Sequence, residues 1–156
     1  MKRAKTMSKG TKLVEQNRQY YYQQVAKLDV GGTIFTTRFA TLCAVPGSLL
    51  YKLFEYSSNF PPPPEILLGL GISYGEFVID RDPVVFDLVL GYLRNGGKLP
   101  RTFGNDYEDI TTIEFLRADA EFYELEDLKN RCEAYLTQMA SENNLRWNGV
   151  VRRFDI

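Results

Sequence analysis

The chain contains no histidine. That absence removes Ser–His and Cys–His nucleophilic catalysis and His-ligated zinc, because each needs an imidazole as base or ligand. Cysteine is nearly as scarce, with only Cys43 and Cys132 among 156 residues. Both lie in apolar, helix-like surroundings, which suits reduced, buried thiols and a cytosolic setting. No Cys-x-x-Cys pair is present, so thioredoxin-type redox chemistry is not expected. No uninterrupted apolar stretch approaches the ~20 residues that cross a bilayer. The basic opening Met1-Lys2-Arg3-Ala4-Lys5 is not followed by an apolar segment, so no secretory signal is expected and a cytoplasmic location is. No glycine-rich loop leads into a helix N-terminus, so the usual cradle for a phosphate or nucleotide is missing. A formal net charge of −1 gives the whole molecule no general attraction to nucleic acid.

Aspartate and glutamate are plentiful, at 20 residues, and are the acids left for catalysis. The closest candidates, Asp80 and Asp82, flank Arg81 at a strand end, where pairing neutralises charge. An enzyme, a cofactor and a metal are therefore not expected. A chain of this length, 44% apolar and 25% charged, suits one globular domain with tails.

The richest stretch is Leu28-Asp29-Val30-Gly31-Gly32-Thr33-Ile34-Phe35-Thr36-Thr37. It spells two short strands around a Gly-Gly turn, which can take the positive backbone angles of a primed hairpin. Ala40–Val45 has the pattern of a short helix stopped by Pro46-Gly47. Ser48 then caps Leu49-Leu50-Tyr51-Lys52-Leu53-Phe54. Glu55 to Tyr74 is a loop stiffened by Pro61–Pro64, with Phe60 beside them as a candidate anchor for a partner. Phe77-Val78-Ile79-Asp80-Arg81-Asp82-Pro83 passes from strand to helix, with Asp82 as cap and Pro83 in the first turn. The apolar run from Val84 to Leu93 predicts a central helix ended by Asn95-Gly96-Gly97. Thr111-x-x-Glu114 is a capping box for a further helix. Leu125, Leu128, Cys132, Tyr135, Leu136 and Met139 trace one face of a last one.

Residues 1–24 form a basic, Tyr/Gln-rich arm, with six basic residues and one acidic. It is expected to be flexible, unless Tyr20, Tyr21 and Tyr22 order it against the domain or a neighbouring subunit. Residues 25–140 form the domain and 141–156 a C-terminal tail carrying Trp147, Arg152, Arg153 and Phe154. The expected fold class is α/β (α+β), a small three-stranded mixed sheet covered by about five helices.

The hairpin, Thr41-Leu42, Pro46-Gly47-Ser48-Leu49-Leu50 and Phe77 through Pro83 occur in one collinear order. So do Phe86, Leu90 through Gly96, Leu99-Pro100 and Ala118 through Leu125. Together they resemble the BTB/POZ domain of the potassium-channel tetramerisation type, in its soluble KCTD-like form. The resemblance implies a layered domain that assembles into a closed ring of four or five copies. It places Asp29, Arg38, Asp80, Arg81 and Asp82 at charged self-association contacts, although Asp80, Arg81 and Asp82 can instead pair within one subunit or cap the following helix. Some channel relatives bind an interfacial zinc through His and a Cys-Cys pair. This chain has neither, so that zinc is not expected.

Two functions follow from the resemblance. One is a substrate adaptor or scaffold for a cullin-based ubiquitin ligase, binding itself, a cullin N-terminal domain and a substrate protein. The cullin contact would then lie near Leu53, Phe54, Tyr56 and Phe60, with core packing the alternative for Leu53 and Phe54. The other is the tetramerisation domain of a potassium channel, or a channel-regulating scaffold without a ubiquitin role. Neither involves nucleic acid or membrane insertion.

Overall fold

A computed structural model of the chain describes residues 9–55, 72, 73, 77–99 and 110–151. Helix α1 (Lys9–Gln23) leads into strands β1 (Val25–Val30) and β2 (Thr33–Arg38). Short helices α2 (Phe39–Leu42) and α3 (Leu49–Phe54) come next, then β3 (Ile72–Ser73) and β4 (Val78–Ile79). Three longer helices close the described chain: α4 (Pro83–Arg94), α5 (Ile110–Phe122) and α6 (Glu126–Val151).

The sheet runs in the order β2-β1-β4-β3. β1 pairs antiparallel with β2, from Val25 opposite Arg38 to Val30 opposite Thr33. β4 joins β1 in parallel, with Asp29 opposite Val78 and Val30 opposite Ile79. The sheet is mixed, as expected, and the two-residue β3 adds a fourth strand within the stretch read as loop. So short a strand carries almost no sequence signal of its own.

Alternation fixes which face of the hairpin is buried. Ala26, Leu28 and Val30 point into the core, while Val25, Lys27 and Asp29 point outward among cross-strand neighbours Arg38, Thr36 and Ile34. The turn works as its glycines suggest, with φ of +54° at Gly31 and +85° at Gly32.

Helix α4 is the centre of the core. Asp82 caps it, its carboxylate accepting from the Val84 amide at 2.8 Å, and Pro83 occupies the first turn. Val85, Phe86, Val89, Leu90 and Leu93 are buried; Val84, at 72% exposed, is the apolar exception. Phe86 meets Phe35 edge-on at 5.0 Å and Tyr123 at 5.7 Å, joining sheet, α4 and the α5–α6 corner. Burying each such ring contributes about 2–3 kcal/mol. Ser48 caps α3, its hydroxyl oxygen accepting from the Tyr51 amide.

Four further expectations change. The segment read as a flexible arm is helical from Lys9 to Gln23, because Tyr21 gives it an anchor on the domain. Helix α6 runs to Val151, well past residue 140, so the expected tail is largely continuous with the last helix. Helix α2 begins at Phe39, one residue early. Helix α5 begins at Ile110, which puts Thr111 inside the first turn and not ahead of it. The proline loop and Arg101–Asp109 lie outside the described residues.

Candidate protein-interaction site

The hairpin turn and the Asp80–Asp82 turn form one corner. The Gly31 amide donates to the Ile79 carbonyl at 3.0 Å. A Cβ at Gly31 would stand 2.4 Å from the Arg81 carbonyl oxygen, so the two turns are in direct backbone contact. The parallel β1–β4 register creates this contact and gathers Asp29, Asp80, Arg81 and Asp82. Arg38 is apart from them, four residues beyond Ile34 on β2 and so about 13 Å along the strand.

These carboxylates differ in what they are free to do. Asp29 accepts from the Gly32 amide at 2.9 Å, and Asp82 is held by its capping bonds. Asp80 is exposed at the corner. Arg81 turns inward: its guanidinium lies 3.4 Å from Asp119 and 3.9 Å above the Phe122 ring. Both contacts are within one subunit, which is the pairing alternative for this residue. Of the Arg81 side chain, 31% remains open.

Asp119 escaped the sequence reading. It follows Ala118 in a helical run and is 5% exposed, against Tyr123 one turn on. Leu116 and Tyr123, three residues before it and four after on the same face, are both buried, so a polar residue there needs an internal partner, and that partner is distant in sequence. Among the described residues Asp119 Oδ2 and the Tyr123 hydroxyl have no hydrogen-bond partner. Burial pushes the Asp119 carboxyl above its ordinary value of 3.8, the Arg81 charge opposes that shift, and Asp82 adds to it. Burial also raises the Tyr123 phenol, with the Asp119 charge acting the same way.

A carboxyl whose pKa is raised by folding binds more protons in the native state than in the unfolded one. Its contribution to stability is full below pH 3.8 and is lost as pH rises through the raised native value. Asp119→Asn keeps an oxygen for Arg81 and removes the titration. Relative to this variant, the wild type should gain a few °C in melting temperature as pH falls from 7 towards 4. Parallel melting curves across that range would show that Asp119 carries no such linkage.

Leu53 and Phe54, expected near a partner contact, are 2% and 1% exposed and belong to the core. Their side chains present no surface, so the core-packing alternative holds for both. Tyr56 and Phe60 lie outside the described residues. The surface beside Phe54 belongs to α1: the Tyr21 hydroxyl donates to the Phe54 carbonyl at 2.9 Å, and the Tyr21 ring stacks on Phe39 at 4.7 Å. Arg18, Tyr22, Ala40, Cys43 and Tyr51 line a shallow hollow there. Burial pushes the Cys43 thiol up to about 12, with the Glu55 charge adding to the shift, so it stays protonated and unreactive. Cys132 is raised to about 11, first by burial. Among the described residues no group of three or more His, Cys, Asp and Glu is placed to hold a metal ion. No helix among them is long and apolar enough to cross a membrane.

Comparison with known proteins identifies the family. The family model described as the BTB/POZ domain matches residues 26–132, most of the chain. The chain belongs to the BTB/POZ family. The BTB/POZ domain-containing proteins KCTD5 of Homo sapiens and of Bos taurus are each 36% identical over 102 residues, 65% of this chain and 38% of theirs. The potassium channel regulatory protein of Homo sapiens is 33% identical over 116 residues, 74% of this chain and 37% of its own. The chain thus spans a little over a third of the length of these curated relatives. BTB/POZ domains of this type are protein-interaction and oligomerisation modules, and the mixed sheet with its cover of helices is consistent with that fold. Helix α1 lies outside the matched residues.

Proposed function

We propose that this BTB/POZ chain assembles with itself into a closed ring of four or five copies and acts as a substrate adaptor or scaffold for a cullin-based ubiquitin ligase. The observation that supports self-assembly is the outer face of the hairpin. Val25 and Ile34 are 58% and 60% exposed there, beside Lys27 and Arg38. Apolar side chains among charges on an open sheet face suit a contact with a second protein surface. Asp80 and Asp82, exposed where the second turn meets the hairpin turn, offer charge of the other sign for such a contact. Native mass spectrometry should give four or five times 17.9 kDa. A monomer at tens of micromolar would end the ring reading.

In this reading Tyr56 and Phe60 are the aromatic anchors of the cullin contact. Titration calorimetry with a purified cullin N-terminal domain should show binding, weakened at least tenfold by Phe60→Ala. No heat at tens of micromolar would remove the adaptor role and leave self-assembly standing. The second reading is a channel-regulating scaffold without ubiquitin chemistry, or the tetramerisation domain of a channel, and the similarity to a protein named as a potassium channel regulatory protein lends it support.

A further inference from the structure

The parallel pairing of β4 settles which way the backbone of the hairpin points. The Gly31 amide donates to the Ile79 carbonyl, so Asp29 and its odd-numbered neighbours turn their backbone groups to the β4 side. Hydrogen-bonding direction alternates along a strand. Ala26, Leu28 and Val30 therefore exchange bonds with Thr37, Phe35 and Thr33, their partners on β2. The N–H and C=O of Ile34 and Thr36, and the N–H of Arg38, point the other way, off the edge of the sheet. Among the described residues β2 is the last strand on that side, and no hydrogen bond reaches these groups.

Exposed edges are ordinarily guarded by proline, a bulge or charged side chains. β2 reads Thr-Ile-Phe-Thr-Thr-Arg and pairs with β1 without a bulge; it has no proline, and its one charge comes at the last residue. Ile34 is 60% exposed, and Thr36 and Arg38 are exposed on the same face. β-Branched and aromatic residues favour the extended form that a further strand needs. Charge on the outer face is graded along the strand. Asp29 lies opposite Ile34 at the turn end, where the Gly32 amide holds it. Lys27 opposite Thr36, and Arg38 beyond, make the far end basic.

We propose that the β2 edge takes an extended segment of a partner protein as a further strand, antiparallel because that pairing is the stronger. The segment carries acidic side chains opposite Arg38 and Thr36 and an apolar one opposite Ile34. Backbone bonds supply the binding, and charge fixes the register. The edge is about 20 Å long and one strand wide. That is far below the roughly 800 Å² per partner of a stable dimer, which favours a peptide over a second copy. The contact is independent of the ring and of the cullin reading.

A fluorescein-labelled hexapeptide, Glu-Thr-Glu-Thr-Val-Thr amide, tests the edge on the full chain. Read antiparallel, its two Glu fall opposite Arg38 and Thr36 and its Val opposite Ile34. Fluorescence polarisation should show saturable binding below about 1 mM. N-methylation of the second Glu removes an N–H that faces β2 and should weaken binding about tenfold. N-methylation of the next Thr, whose N–H faces away, should change it by less than about threefold. Lys in place of both Glu should abolish saturation. Thr36→Pro deletes an outward N–H without touching the β1 ladder, and edge positions accept proline. It should weaken the peptide about tenfold while oligomer mass and circular dichroism stay unchanged. Equal effects of the two methyl groups, or no saturable binding, overturn strand addition. A fall in mass with Thr36→Pro assigns the edge to a second copy. Slow hydrogen exchange at the Ile34 and Thr36 amides of the peptide-free chain means that the edge is already covered. Either result overturns the partner reading and leaves self-assembly to its own test.

Discussion

Gly31→Val should abolish most of the domain's stability, with a loss of about 3–5 kcal/mol. Two costs combine. At φ of +54° a β-branched residue is a genuine outlier, worth roughly 1–2 kcal/mol. Its Cβ would also stand 2.4 Å from the Arg81 carbonyl oxygen and 3.0 Å from the Pro83 ring. Neither neighbour is the end of a flexible side chain, so the hairpin turn must lift off the β4–α4 connection. The Gly31–Ile79 hydrogen bond goes with it, and so does the registry of β1 on β4. Against a typical total of about 5–15 kcal/mol, that leaves little margin. Urea unfolding followed by circular dichroism should show the midpoint falling by about 2 M. Gly32→Val is the control, since its Cβ meets nothing within 4 Å and only the backbone term remains at φ of +85°. Equal losses at both positions would assign the whole effect to φ and remove the close approach as a cause.

The same glycine shows how far the sequence could be followed. Gly31-Gly32 between alternating apolar residues predicts a hairpin because turn chemistry is local, and the observed pairing from Val25 to Arg38 agrees with it. Asp82-Pro83 and Ser48 are legible for the same reason: a cap is a property of three or four consecutive residues. What could not be seen is what depends on distant parts of the chain. The contact of Gly31 with Arg81 joins residues fifty apart. Asp119 reads as a surface residue until Arg81 and Tyr123 are known to surround it. Tyr21 reads as part of a polar arm until Phe39 and the Phe54 carbonyl provide its seat.

The candidate site divides along that line. Residues expected at interfaces from type and resemblance fall into two groups once their partners are known. Arg38 and Asp80 are exposed and retain the role proposed for them, whereas Leu53 and Phe54 are core. Sequence spacing places Leu49, Leu50, Leu53 and Phe54 on α3 but does not say that the helix is too short to have an outer apolar face. With six residues and four of them buried, it does not.

Arg81 is where stability and assembly meet, and replacing it should cost more than an interface residue would. Arg81→Leu leaves Asp119, whose side chain is 7% exposed, without its cation. Breaking one half of a buried pair costs about 3–5 kcal/mol. Because the Arg81 side chain is itself 31% exposed, the expected loss here is about 2–3 kcal/mol at pH 7. The pH dependence identifies the cause. Without Arg81 the Asp119 carboxyl loses the charge that held its pKa down, so it takes up a proton more readily. The deficit should therefore shrink as pH falls from 7 towards 5, measured as the difference in unfolding free energy from the wild type. The pair Arg81→Leu/Asp119→Leu removes both charges and should return to within about 1 kcal/mol of the wild type. A single variant whose deficit stays constant with pH would mean that Arg81 acts through its packing on Phe122 alone. Arg81→Glu, the obvious charge reversal for testing self-assembly, sets a second carboxylate against Asp119 and lowers stability as well as any ring mass. Arg38→Glu and Asp80→Lys, both on exposed positions, test the ring without that confusion.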